Sequence, residues 1–190
     1  HISYVNTTSY PNAVMYAHHN GTAWTIEVID ATPYYAYDTS IDLDSSGNPH
    51  ISYAVYNSTG NSYNLRYSYH NGSEWVYDDI KDYRGSYWYS YSNTGKNNQI
   101  KLNGTNVPHI VFFDDYYDDV YLSVRINGTW SSSSVDEYGG MYTTGGERAI
   151  SLAIDSTDGL HVAYYDMSGK FLEYAHRGPG ESAWTKTNVH

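Results

Sequence analysis

The sequence predicts an all-β protein of the β-propeller class, with four repeats of about 50 residues that each fold into a four-stranded antiparallel blade. Two landmarks recur in the same order and predict these repeats: a histidine before a strand-like apolar run, and a tryptophan after a turn. The histidines are His1, His50, His109 and His161, and the tryptophans are Trp24, Trp75, Trp130 and Trp184. No segment has a helical apolar period, so we expect almost no helix.

The second repeat shows the expected strands in order. Strand one alternates apolar and polar residues around Ile41 and Leu43, and a D-x-x-G turn follows it. The run HISY forms strand two, and the L-x-Y pattern forms strand three. An Asn71-Gly72 turn then leads to strand four, which opens at Trp75. Asn-Gly is a strong hairpin signal because both residues tolerate positive φ.

The repeats together predict one domain over residues 1–190, or part of a larger domain. Their ranges are 1–30, 40–80, 99–136 and 149–190, and the first repeat lacks its opening strand. Propellers normally close by pairing strands from the two ends of the chain. We therefore expect either that the chain continues or that a neighbouring molecule supplies the missing strand by strand addition.

The composition excludes several functional classes. The net charge is −11, so the basic face that a nucleic-acid partner requires is not expected. No stretch approaches the roughly 20 apolar residues of a membrane span, so membrane insertion is not expected. The absence of cysteine excludes thiolate chemistry and disulfides. The 24 tyrosines are expected to fill the space between blades and to bond through their hydroxyls.

Asn-X-Ser/Thr triplets indicate an extracellular or cell-surface location. They are more frequent than the composition predicts, although polar turns also produce such triplets. The candidate glycosylation sites are Asn6, Asn20, Asn57, Asn71, Asn103 and Asn127.

An acidic run in the third repeat offers a weak calcium site, because Ca²⁺ prefers oxygen ligands. Its carboxylates belong to Asp114, Asp115, Asp118 and Asp119. They fall where strands two and three should be joined, so solvated turn charges are the alternative. The segment 155–159 has only part of a calcium-loop pattern and lacks the distal glutamate. No other cofactor is expected.

The four repeated histidines occupy equivalent positions, which indicates one shared structural role. We expect each to hydrogen-bond a turn backbone or a neighbouring aspartate. His18 and His19 end a strand, and a metal site there would need a carboxylate that the sequence does not locate.

The longest insertions lie between Ile80 and Gln99 and between Asp136 and Ala149. The first is rich in aromatic residues, whose faces stack on sugars, and it supplies an arginine. It is therefore a candidate glycan-binding loop, although packing over a blade edge is the alternative. The candidate residues are Tyr83, Arg84, Tyr87, Trp88 and Tyr89.

The sequence carries no catalytic motif. The arginines are scattered, and G-x-S-x-G, H-E-x-x-H, a phosphate loop and the aspartate box of sialidases are all absent. A hidden pair of carboxylates would be needed for a glycosidase. The chain is therefore predicted not to be an enzyme. A polysaccharide-active enzyme is the third hypothesis, ranked after a structural module and a lectin.

The pattern I-x-L-D-x-x-G-x-P-H-I-S-Y, followed by L-x-Y and N-G-x-x-W, spans Ile41 to Tyr53 and Leu65 to Trp75. It resembles the tandem propeller repeats of exported archaeal and bacterial surface proteins. The resemblance covers most of the chain and implies a propeller fold and an extracellular setting, but it implies no activity.

These observations predict a noncatalytic, extracellular structural or adhesion module, as a glycosylated subunit of a surface layer or filament. Its expected partners are other copies of itself or other surface proteins. The alternative is a lectin-like propeller that binds glycans.

Overall fold

A computed structural model describes residues 1–8, 11–31, 35–57, 62–80, 95–114, 119–137, 149–166 and 169–189. These segments form strands and contain no helix, as predicted. Sheet 1 consists of β1 (Ile2–Asn6), β2 (Ala13–His19) and β3 (Trp24–Asp30). Sheet 2 consists of β4 (Ala36–Leu43), β5 (Pro49–Asn57), β6 (Ser62–His70) and β7 (Trp75–Ile80). Sheet 3 consists of β8 (Gln99–Leu102), β9 (Pro108–Asp114), β10 (Asp119–Ile126) and β11 (Thr129–Asp136). Sheet 4 consists of β12 (Ile150–Ile154), β13 (Leu160–Asp166), β14 (Phe171–Arg177) and β15 (Thr185–Val189).

Every sheet is an antiparallel meander in which consecutive strands are neighbours. Sheet 1 has three strands and the other sheets have four, which fits the four predicted blades with a first blade that lacks its opening strand. The described segments form a row of four sheets that is not closed into a ring. None of the described segments provides a helix long and apolar enough to cross a membrane.

The first hairpin of sheets 2, 3 and 4 repeats one turn geometry. The residue after the opening strand is Asp44, Asn103 or Asp155, and its side-chain oxygen accepts backbone N–H bonds from the residues two and four positions later. The third residue after it has positive φ in all three turns. Gly47 occupies this position in sheet 2, and asparagine and aspartate, which tolerate the left-handed region better than most residues, occupy it in sheets 3 and 4.

Polar side chains hold the opening strands side by side. Ser40 and Asp42 on β4 accept hydrogen bonds from the backbone N–H groups of Ile100 and Leu102 on β8, at 3.1 and 2.8 Å. These donors lie on the free edge of sheet 3 and would otherwise lack a partner in the ladder. The sheets are therefore joined by hydrogen bonds as well as by apolar packing.

One strand is longer than the sequence predicted. The second repeat was expected to begin at residue 40, but β4 begins at Ala36 and pairs there with the far end of β5. A bulge separates Tyr37 from Ser40, and Asp38 has a φ of 52°. The bulge breaks the period-two alternation, which explains why the pattern starts late in the sequence.

Candidate functional site

A tryptophan packs at each contact between neighbouring sheets. Trp75 borders the cluster shared by sheets 1 and 2, Trp130 the cluster shared by sheets 2 and 3, and Trp184 the cluster shared by sheets 3 and 4. Trp75 contacts Tyr16 of the preceding sheet edge-on, and Trp130 contacts Tyr67 in the same way. The prediction that tryptophan and tyrosine fill the space between repeats is therefore confirmed.

The face of sheet 1 that points away from sheet 2 is uncovered. Ile2 is 47% exposed, whereas its equivalents Ile51, Ile110 and Val162 are all 0% exposed. Trp24 is 53% exposed, although the other three repeated tryptophans pack against a preceding sheet. We call this surface the sheet 1 outer face, and it comprises Ile2, Trp24, Ile26 and Val28.

The opposite end of the row has a matching uncovered surface. Leu172 is 44% exposed, whereas its equivalents Leu65 and Val120 are 0% exposed. Val189 is 42% exposed, and its equivalent Ile80 is 3% exposed. We call this surface the sheet 4 outer face, and it comprises Tyr165, Leu172, Tyr174 and Val189. Each end of the row thus presents one half of the contact that is buried between the inner sheets.

Buried aspartates form hydrogen bonds across two of the three contacts between the described sheets. We call each aspartate with its donors a polar lock. At the end of β3, Asp30 accepts hydrogen bonds from the Tyr53 hydroxyl at 3.0 Å and from Arg66 at 2.7 Å. Asp136 occupies the same place at the end of β11, where it accepts a 2.8 Å bond from Tyr164 and pairs with Lys186.

The environment of these locks shifts several pKa values. Burial raises the pKa of the Tyr53 and Tyr164 hydroxyls, and the adjacent aspartates raise it further. Burial also raises the pKa of the Glu173 carboxyl, with a contribution from the charge of Asp136. For Arg66, burial acts to lower the pKa, but the hydrogen bonds to Asp79 and Asp30 outweigh it and raise the pKa. The tyrosines therefore remain protonated donors to the buried carboxylates.

Two of the repeated histidines make the expected structural hydrogen bonds, and three make a contact with tyrosine that the sequence did not predict. The ring of His161 lies 3.1 Å from Asp155, and His109 bonds the backbone oxygen of Val107 in its turn. Three of the four histidines also contact a tyrosine hydroxyl through Nδ1. These pairs are His1 with Tyr16, His50 with Tyr67, and His161 with Tyr174, at 2.5 to 2.6 Å.

The sequence pattern did not reveal these tyrosines, because they lie across a hairpin whose length varies between repeats. A usable signal was nevertheless present: Tyr16 and Tyr67 each lie four residues before the asparagine of an Asn-Gly turn. The third repeat has Leu122 at the equivalent strand position, opposite Val111. His109 therefore has no tyrosine there, and burial lowers its pKa. Burial also lowers the pKa of His50, against the opposing charge of Asp44.

The acidic run is only partly described, because residues 115–118 lie outside the described segments. Asp114 and Asp119 end β9 and begin β10, and they face each other across the hairpin, which confirms the predicted position of the turn. Both are buried, and Asp119 accepts a 3.1 Å hydrogen bond from the Tyr121 hydroxyl. The alternative of solvated turn charges is therefore wrong for these two residues. Calcium binding by Asp114, Asp115, Asp118 and Asp119 stays a prediction.

The aromatic insertion lies entirely outside the described residues. This applies to Tyr83, Arg84, Tyr87, Trp88 and Tyr89, so their role in glycan binding stays a prediction.

Several candidate glycosylation sites adopt one local geometry. The side-chain oxygens of Asn6, Asn20, Asn71 and Asn103 each accept the backbone N–H of the serine or threonine two residues later. This leaves the amide nitrogen, the atom that would carry a glycan, outside that bond. Asn20, Asn71 and Asn127 are exposed in hairpins of sheets 1, 2 and 3, and the side chain of Asn57 lies outside the described part. Occupancy of these sites stays a prediction.

Comparison with known proteins places the fold but not the family. No family model matches the chain, and no curated protein matches it. A fucose lectin from Kordia zhangzhouensis, solved in complex with methyl-fucoside, is similar in structure, with a TM-score of 0.53 and 14% identity over 79% of this chain and 97% of the lectin. A protein of unknown function from Dyadobacter fermentans DSM 18053 is similar with a TM-score of 0.62 and 10% identity, over 96% of this chain and 60% of that protein. At these identities, the likenesses show the all-β fold alone.

Proposed function

We propose that this chain is a noncatalytic structural module built of propeller-type blades, which associates end to end with other copies of itself at a cell surface. The observation that carries the proposal is the pair of uncovered outer faces on sheets 1 and 4. Ile2 on sheet 1 and Leu172 and Val189 on sheet 4 are exposed at positions that are buried in the inner sheets. Exposed apolar surface of this kind is typical of an interaction site.

The two outer faces are complementary because they are the two halves of one repeated contact. Sheet 2 places Ile51 and Trp75 against Val14 and Tyr16 of sheet 1. A sheet 4 outer face docked on the sheet 1 outer face of another copy would place the equivalent residues together in the same way. Leu172 and Tyr174 of one copy would thus meet Ile2 and Trp24 of the next.

Such a contact joins two different surfaces, so each copy can use both of its outer faces at once, and two copies close on each other only if the contact rotates one copy by half a turn. A head-to-tail contact produces a ring when the rotation closes and a filament when it does not. Asn20, Asn71 and Asn127 are exposed on hairpins, which is where glycans would coat such an assembly. These features support the surface-layer or filament role that the repeats suggested.

Sedimentation velocity over a range of concentrations, together with electron microscopy, tests the proposal. We expect the wild-type chain to associate, and Leu172→Glu or Ile2→Glu to weaken the association by introducing a charge into the contact. Ile126→Glu is the matched control, because Ile126 is 58% exposed but lies on neither outer face. A wild-type chain that stays monomeric at every concentration would overturn the proposal, as would equal effects of all three substitutions.

Carbohydrate binding is the second candidate function. It is supported by the likeness to a lectin that was solved with methyl-fucoside and by the aromatic insertion around Trp88. A glycan array that includes methyl-fucoside tests it. We expect Trp88→Ala to abolish sugar binding while the fold is retained, and Trp24→Ala, which removes an exposed indole elsewhere, to leave it intact. An array without any bound glycan would contradict this candidate.

A further inference from the structure

Sheet 4 carries a cluster of metal-ligating side chains on the same face as Leu172 and Tyr174, beside its first hairpin turn. Asp155, His161 and His176 each offer one ligand atom, and these atoms all lie within 4.8 Å of one another. The three residues come from the first hairpin turn, β13 and β14, so only the folded sheet brings them together.

The fold fixes the position of each of these side chains. One oxygen of Asp155 is engaged by the turn, where it accepts N–H bonds from Thr157 at 2.8 Å and Gly159 at 2.9 Å. The other oxygen faces His161 Nε2 at 3.1 Å. His161 and His176 are directly opposite each other in the antiparallel ladder, with ring centroids 4.8 Å apart.

A second layer of contacts orients the principal imidazole. The Tyr174 hydroxyl lies 2.6 Å from His161 Nδ1, which directs Nε2 towards the carboxylate. A carboxylate only accepts hydrogen bonds. In the neutral, ion-free imidazole, Nε2 therefore carries the proton and the tyrosine hydroxyl donates to Nδ1. When Nε2 binds an ion, the ring proton resides on Nδ1 and the tyrosine oxygen accepts it. Outer partners of this type orient histidine ligands in metal proteins.

We propose that Asp155, His161 and His176 form a binding site for a divalent transition-metal ion of the Zn²⁺ type, with a fourth position left to water or to an external ligand. Two imidazoles and one carboxylate suit Zn²⁺, which prefers nitrogen and oxygen donors in a tetrahedral arrangement. Calcium is disfavoured at this site because it takes six to eight oxygen ligands.

The other sheets hold incomplete versions of the same site. Sheet 2 retains Asp44 and His50, but Tyr69 stands opposite His50 in the ladder. In sheet 3, His109 is opposite Val124, and Asn103 takes the place of the aspartate in the turn. The repeat therefore supplies variants with fewer ligands on the same backbone.

Access also distinguishes sheet 4 from sheet 2. The side chains of His161 and Asp155 are 30% and 39% exposed, whereas those of His50 and Asp44 are 10% and 16% exposed. An ion can thus reach the site in sheet 4 without separating two sheets. This inference does not rest on the proposed end-to-end association.

Calorimetric titration of the full, tag-free chain with Zn²⁺ tests the inference. We expect one ion per chain, and we expect His176→Tyr to weaken binding by at least about tenfold, because it removes one of three ligands. His176→Tyr reproduces the tyrosine found in sheet 2, so the ladder is expected to tolerate it. Tyr174→Phe keeps all three ligands and should weaken binding by about 10–100-fold through the loss of orientation.

His18→Tyr is the matched control, because the His18 ring packs at a tilt against His1, with centroids 4.5 Å apart, as the His176 ring does against His161. We expect it to leave Zn²⁺ binding unchanged, and we expect added Ca²⁺ not to compete with Zn²⁺ for this site. Repeating the titration in the Leu172→Glu background separates this result from any association of copies. A wild-type chain that binds no Zn²⁺, or binding that survives His176→Tyr, would overturn the inference.

Discussion

Two neighbouring contacts between sheets differ at one equivalent position. One is the contact between sheets 1 and 2, and the other is the contact between sheets 2 and 3. In the first, Tyr53 carries its hydroxyl to the buried Asp30. In the second, the equivalent residue is Phe112, which packs in a cluster with Ile80 and Ile110. The contact between sheets 3 and 4 returns to the polar arrangement with Tyr164 and Asp136. At this one position, a hydrogen-bonded tyrosine and an apolar phenylalanine therefore alternate along the row.

The buried aspartates affect the energetic cost of an incorrect sheet pairing more than they affect the net stability of the correct one. A buried ion pair contributes little net stability, because desolvation offsets most of the attraction. Removing one member, however, leaves a buried charge without compensation. An apolar residue at this position carries no such penalty, because a misplaced methyl group loses only its packing energy. At this position, the contacts built on Asp30 and Asp136 thus penalise an incorrect sheet pairing more strongly than Phe112 does.

The largest effect is expected from removing the aspartate of a polar lock. Asp30→Ala leaves the Arg66 guanidinium without its buried partner and the Tyr53 hydroxyl without its carboxylate acceptor. We expect the free energy of unfolding to fall by about 3 kcal/mol, measured by urea denaturation.

Asp79→Ala is the control for this experiment, because Asp79 binds the same arginine at 2.6 Å but its side chain is 41% exposed. Its loss should cost no more than about 1 kcal/mol, since solvent screens an exposed pair. Equal costs for the two variants would show that burial of Asp30 is not what makes the lock important.

A smaller effect is expected from converting a polar contact towards the apolar type. Tyr164→Phe removes the hydroxyl that donates to Asp136 and should lower the free energy of unfolding by about 1–2 kcal/mol. Tyr165→Phe is the matched control, because the neighbouring ring lies on the opposite face and is partly exposed. If both variants unfold at the same urea concentration as the wild type, the hydroxyl does not stabilise this contact.

The features that could be predicted from the sequence were local. Each strand follows from an alternating run between turn residues, and the Asn71-Gly72 dipeptide marks a hairpin by its own conformational preference. The sequence order of these signals was enough to predict four repeated sheets and the short first one.

The features that the sequence did not predict depend on register between strands. His161 meets His176, and His50 meets Tyr67, only because a particular residue pairing places them on one face. Asp30 reaches Tyr53 across two different sheets. Periodicity within one strand contains no information about such partners, because shifting a neighbouring strand by one residue would exchange its two faces.

The smallest predicted effect compares the repeated tryptophan between sheets 1 and 2 with the one between sheets 2 and 3. Trp75 donates its indole N–H to Glu27 at 2.9 Å, whereas the buried indole N–H of Trp130 has no partner in the described structure. Replacement by phenylalanine removes similar apolar area at both positions, but it breaks a hydrogen bond only at Trp75. Trp75→Phe should therefore cost about 1 kcal/mol more than Trp130→Phe in the free energy of unfolding. A larger cost at Trp130 would mean that packing, and not the hydrogen bond, separates the two contacts.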